Sequence, residues 1–179
     1  SEADSIDAMA EVYFSGGSMH GDLALVEASL SARAFMHLVN QGVPFPRDEY
    51  GQFVGYKTDH DPRQRATSIG PYTSQEMCKC LIREAKNLEI KIREQRTVVQ
   101  LVVISEANQE RIVGVVAIND AGELEPYLAE NVIFAVGGPG GLYDASVYPK
   151  EHIGAIGLAF MAGANASNLT ESQFGLAST

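Results

Sequence analysis

Residues Asn131–Val136 form an apolar run after their first position, and the run stops on Gly137-Gly138-Pro139-Gly140-Gly141. It reads as a buried β-strand that ends in a turn no regular element can enter. Glycines at a strand end have two uses. They let a ligand approach the backbone without meeting Cβ atoms, and they leave N–H groups free for phosphate or a polar ring edge. They also let a strand and the following helix pack closely with no ligand at all. The residues alone leave both uses open. This run is not the G-x-G-x-x-G fingerprint of a dinucleotide turn, and no strand in the chain is followed by that pattern.

The first half of the chain has helical periodicity. Residues 4–14 predict a short helix before Gly16–Gly17, and Asp22 is a plausible N-cap for the next one. Leu23, Val26, Leu30, Ala34 and Leu38 follow at spacings of three and four, an apolar stripe that Gly42 is placed to end. Residues 43–72 contain Pro44, Pro46, Pro62 and Pro71 and predict a long irregular connection, a type that is often functional. Helical spacing resumes over Ser74–Asn87 through Met77, Leu81 and Ala85.

The pattern then changes to β-type runs at Glu89–Arg93, Val98–Ile104 and Ile112–Ile118, separated by polar or turn-forming residues. Short connections between them predict an antiparallel meander. A last helix is expected within Ile153–Ala162, with Gly163 near its end. The fold class is thus α/β, or α+β for these residues taken alone: a meander and a buried strand packed with helices, in one domain over residues 1–179.

A formal charge of −10 and a pI near 4.8 exclude a broad electrostatic footprint on nucleic acid or anionic membrane. A local basic site for an anionic ligand stays open. No stretch approaches the roughly 20 apolar residues of a membrane span, and SEADSIDAMAE lacks the features of a secretory signal. Cys78 and Cys80, two apart on a helix, do not share a face for a disulfide or a metal. Two ordinary thiols fit a cytoplasmic location. His20, His37, His60 and His152 have no ligand spacing, so no metal site is expected.

Two sets of polar residues could serve a substrate. Arg63 and Arg65 lie in DHDPRQRATSIGPYTS, and a guanidinium offers a planar fork suited to a carboxylate. Arg65 is the better candidate because it adjoins the stretch leading to the next helix; the alternative is that both arginines answer Asp59 and Asp61. Glu171 and Gln173 would share one face of an extended backbone. They either bind a carboxylate or carbonyl, or are an exposed charge and an amide paired with backbone. His60 has a pKa suited to proton transfer, yet as a lone loop histidine it reads equally as solvated.

The surroundings of the glycines carry a family pattern. VIFAVGGPGGLYDASVYP, then GLAFMAGA and ESQF, together with QGVPFPRDEYG upstream, resembles the FAD-containing flavoproteins of fumarate reductase, succinate dehydrogenase and L-aspartate oxidase. The resemblance implies the middle part of a glutathione-reductase-like FAD-binding domain, with the dinucleotide fingerprint before it and a cap after it. It places Ala135, Val136 and Gly137 beside the adenosine or pyrophosphate of FAD, with Gly138 permitting close approach. It places the main chain of Val98 or Val99 against the adenine.

Arg65, Glu171 and Gln173 become the substrate side of a hydride transfer between an organic substrate, such as a carboxylate, and the flavin. The proton donor would lie beyond Thr179, so the chain alone is expected to be inactive, to hold FAD weakly or not at all, and to self-associate through surfaces that other parts would cover. Two departures stand out. His152-Ile153-Gly154-Ala155 replaces a Gly-Asp-Gly-like motif, and Gly175-Leu176 replaces the His-Pro that follows Gln-Phe in relatives acting on dicarboxylates. The second departure leaves open a non-catalytic binding or assembly domain of the same architecture.

Overall fold

The computed structural model describes residues 4–17, 19–58, 61–107, 109–138, 140–144, 146, 148 and 152–169. They divide into two compact units, Ser1–Lys91 and Ile92–Leu169.

In the first unit, helix α1 (Ile6–Ser15) starts where the Ser5 hydroxyl accepts the Ala8 N–H at 3.1 Å, a side-chain cap for one of the helix's unpaired donors. Helix α2 (Gly21–Asn40) begins one residue before the expected cap. Asp22 lies inside its first turn, where its charge faces the positive helix end, and His20 holds the cap position without a side-chain bond.

The face that α2 buries also differs from the expected one. Ala24 and Ala28 are buried and Ser31, Phe35 and Leu38 are half-buried, while Leu23, Val26 and Leu30 are exposed. Small residues win because α1 packs closely along them; the Ser31 hydroxyl reaches the Met9 sulfur at 3.5 Å.

The end of α2 is as the sequence predicts. Gly42 has φ +90°, its N–H donates to the Val39 carbonyl, and the Val43 N–H donates to the Leu38 carbonyl. This is the Schellman arrangement that favours glycine. Val43 then enters the core with Phe45 and Cys80, surrounded by Phe35, Leu38, Val39, Phe53, Ile69 and Met77. Phe35 meets Phe45 at 4.9 Å and Phe53 edge-on at 4.7 Å, and the Arg47 guanidinium lies 3.8 Å above the Phe53 ring. The irregular connection is therefore a folded part of the core. It leads into helix α3 (Thr73–Asn87), on which Cys80 is buried and Cys78 exposed, both as free thiols.

Glu89–Arg93, expected as a strand, has no strand partner among the described residues. The end of α3 consumes its first positions: Glu89 takes φ +54°, its N–H donates to the Lys86 carbonyl, and the Ile90 N–H donates to the Ala85 carbonyl.

The second unit contains the meander, with different members from those expected. Strands β1 (Arg96–Glu106), β2 (Gln109–Asn119) and β3 (Leu124–Leu128) form an antiparallel sheet in the order β1-β2-β3. Leu101, Gly114 and Ala117 are buried in it, and helix α4 (Ile156–Met161) packs on β1. Gly163 follows α4 at φ +85°, and the preceding Ala155 stands at φ +45°. Asn131–Val136, expected as a buried strand, has no ladder partner among the described residues, and Ile133 is 91% exposed. An apolar run becomes a strand only when another strand pairs with its N–H and C=O groups. Helices with an antiparallel sheet make this an α+β arrangement.

Candidate functional site: the glycine turn

The glycines at the end of the 131–136 run do not share one job. Gly137 has φ +77°, and a Cβ there would lie 2.4 Å from Nε2 of His152. Gly140 is buried, and its Cβ would lie 2.5 Å from Cδ2 of Tyr148. The two rings touch, with centroids 5.4 Å apart, and the Gly141 N–H donates to the His152 carbonyl at 2.7 Å. Gly137 and Gly140 are thus filled from one side by this chain's own rings, which is the packing use of a glycine turn. Gly138 is different: among the described residues, a Cβ there would meet nothing within 4 Å.

Ala135, Val136, Gly137 and Gly138 are all exposed, so their main chain is open to a ligand. An exposed turn with one unfilled glycine lets an anionic, flat-ended cofactor approach its backbone N–H groups. These residues therefore fit FAD, the group that the sequence pattern implies.

Val98 is the last regular pair before an irregularity in β1. It pairs with Ala117, the next pair is Gln100 with Val116, and Val99 is the extra residue of a bulge. A bulge leaves its extra residue out of the ladder and often lies beside a functional site. The resemblance implies a main-chain contact at Val98 or its neighbour Val99, with Val98 the residue chosen; Val98 stays in the ladder and Val99 lies outside it.

Arg65 is held in the first unit. Its Nε and one terminal nitrogen donate to the two Asp4 oxygens at 2.8 and 2.6 Å, and the other terminal nitrogen donates to both Asp61 oxygens at 2.9 and 3.1 Å. Its side chain is only 9% exposed. Hydrogen bonding to Arg65 lowers the Asp4 pKa to about 2, and the same bond raises that of Arg65. Arg63 adds a longer contact, 3.4 Å, to Asp4. The sequence expected local acids as one alternative for these arginines and found Asp61; Asp4 carried no signal, being 61 positions from Arg65.

Glu171, Gln173, Asp59 and His60 lie outside the described residues. The described residues hold no cluster of three or more His, Cys, Asp or Glu able to bind a metal, and no helix among them is long and apolar enough to cross a membrane. His152 is the residue that sequence reasoning passed over. Its only signal was its place in the stretch that departs from the Gly-Asp-Gly-like motif.

Residues 1–179 match a family described as FAD binding domain. L-aspartate oxidase of Bacillus subtilis (strain 168) is 29% identical over 175 residues, covering 96% of this chain and 32% of that protein. Among solved structures, Sdh1 of Mycobacterium smegmatis in complex with UQ1 superposes with a TM-score of 0.74 at 20% identity, over 89% of this chain and 29% of its own. FrdA of E. coli quinol fumarate reductase gives 0.69 at 20% identity, over 80% and 24%. The chain spans about a third of the length of the curated relative it matches.

Proposed function

Because the chain belongs to the FAD binding domain family, we propose that it forms the middle of an FAD-dependent oxidoreductase of the fumarate reductase, succinate dehydrogenase and aspartate oxidase type. The observation that carries this reading is the exposed run 135–138 with Gly138 open, at the place where the family pattern puts the cofactor. When bound, FAD supplies the acceptor or donor for a hydride exchanged with an organic substrate.

The chain's own part is to bind and orient. The main chain of Ala135, Val136, Gly137 and Gly138 would hold the adenosine or pyrophosphate end, and the bulge at Val98 and Val99 would offer main-chain groups to the adenine. On the substrate side the reading assigns Arg65, Glu171 and Gln173 to a carboxylate. Arg65 would take that role only by exchanging Asp4 or Asp61 for the substrate, a swap of one carboxylate for another. The groups that move the proton would belong to the parent protein beyond Thr179, which leaves the chain alone without turnover. A cytoplasmic location completes the reading.

Gly175, where relatives acting on dicarboxylates have histidine, favours a second reading: a non-catalytic binding or assembly domain. Purifying the intact protein and identifying its chromophore by absorbance and mass separates outcomes. One FAD per chain together with bleaching of the flavin by an organic donor, or reoxidation by an organic acceptor, supports the enzyme. A colourless protein that FAD does not reconstitute overturns the flavoprotein reading. Bound FAD inert toward organic donors and acceptors supports the second.

A further inference from the structure

The His152 ring lies where Gly137 would carry a side chain, its carbonyl anchors Gly141, and it touches the Tyr148 ring that fills the side of Gly140. One residue thus reaches both ends of the turn, by side chain at Gly137 and by main chain at Gly141. We propose that His152 is a positioning residue that holds the glycine turn in the conformation presenting Gly138 to the cofactor. The proposal rests on the reading that this turn faces FAD.

The contact adds a steric reason for glycine at position 137 to a conformational one. Its φ of +77° is unfavourable for other residues, and the space beside it is already taken by the imidazole. Without the ring, the Gly137–Gly138 backbone loses the wall it rests on. Glycine-rich backbone is the most conformationally free, so the ordering cost that the ring has already met would be met by the cofactor at binding.

The role assigned is that of a planar group at the Nε2 position, and it needs no change of protonation. Glutamine, a planar amide with its nitrogen at about the reach of Nε2, should therefore stand in for histidine, and alanine should not. The main-chain bond to Gly141 survives either change, so a loss on substitution reports on the ring alone.

The test uses the intact protein and reads FAD affinity by flavin fluorescence, beside the thermal stability of the apoprotein. His152→Ala is expected to weaken FAD binding about tenfold, with His152→Gln staying near wild type. A second measurement stands apart from FAD. Gly137→Ala should cost less stability in the His152→Ala background than in wild type, because the clash with the ring is then absent. Wild-type affinity in His152→Ala overturns the proposal, as does His152→Gln binding as poorly as His152→Ala. Equal costs of Gly137→Ala in both backgrounds overturn the contact itself. Failure of the wild-type protein to bind FAD would instead sink the proposed function, a result distinct from all of these.

Discussion

Arg65 grips Asp4 with two parallel hydrogen bonds, at 2.6 and 2.8 Å, across 61 positions of sequence. Planar forks of this kind are stronger than single ion pairs. Here the same guanidinium also holds Asp61, so the start of α1 and the connection before α3 are joined through one side chain. Arg65→Gln should destabilise the first unit by about 1–2 kcal/mol, more than an exposed pair contributes, because two carboxylates lose their partner together. Denaturant unfolding of the intact protein measures it.

The clamp also sets a pH dependence. Asp4 is lowered from 3.8 to about 2 in the folded state, so its contribution is fully present above the unfolded pKa. That contribution is lost as pH falls from about 4 through 2. Asp4→Asn should remove this acid-side slope while leaving the neutral-pH unfolding cooperative. Unfolding midpoints across pH 2–5 for the two proteins should converge at the acid end.

Glu125 on β3 collects donors from all three strands: Arg96 of β1 at 2.7 Å, Asn119 of β2 at 2.9 Å and the Tyr127 hydroxyl on its own strand. The Tyr127 bond is the largest of the effects that lower its pKa to about 2, ahead of those from Arg96 and Asn119. Tyr127→Phe should therefore move the Glu125 titration upward, toward the ordinary carboxylate value. Carboxyl-carbon NMR during a pH titration resolves the shift.

Gly114 is buried where β2 meets β3, and a Cβ would stand 2.2 Å from the Tyr127 carbonyl oxygen. That neighbour is backbone and has little room to yield. Gly114→Ala should cost about 1–3 kcal/mol, the usual range for overpacking. Hydrogen exchange should show β3 amides losing protection before those of β1.

Glu89 and Ala155 adopt φ of +54° and +45°, the left-handed region that disfavours side chains. Replacing either by glycine relieves that strain and adds chain entropy to the unfolded state. The net gain should be about 0.5–1 kcal/mol per site. The melting temperature should rise for each, and the two gains should add, because the sites fall in different units.

These residues also mark what the sequence could and could not convey. Helix ends were legible because Gly42 and Gly163 stop helices by a local mechanism, and β1 and β2 were legible from their long apolar runs. The packed face of α2 was not. Hydrophobicity picks out Leu23, Val26 and Leu30, whereas close approach of α1 selects Ala24 and Ala28 for size. Strand β3 escaped because LEPYL has no β-branched residue and contains Pro126, which an outer strand tolerates.

Glu89–Arg93 and Asn131–Val136 read as strands from local pattern, one an alternation and the other an apolar run, but pairing is decided by a partner elsewhere. At the candidate site, the glycines could be read and their division of labour could not. Whether a neighbour fills Gly137 or leaves Gly138 open depends on where His152 lands.

The exposed run 133–136 also bears on the colloidal behaviour of the chain. It is uncharged and β-competent, with its backbone unpaired among the described residues, a combination that templates sheet growth between molecules. Mutual repulsion from the formal charge of −10 opposes that growth at neutral pH. The repulsion fades as pH approaches the pI of about 4.8, so precipitation should set in there, well before the acid range in which the Asp4 clamp opens. Loss of solubility on acidification would then precede loss of fold, and clarity of the solution would be a poor guide to the integrity of the glycine turn.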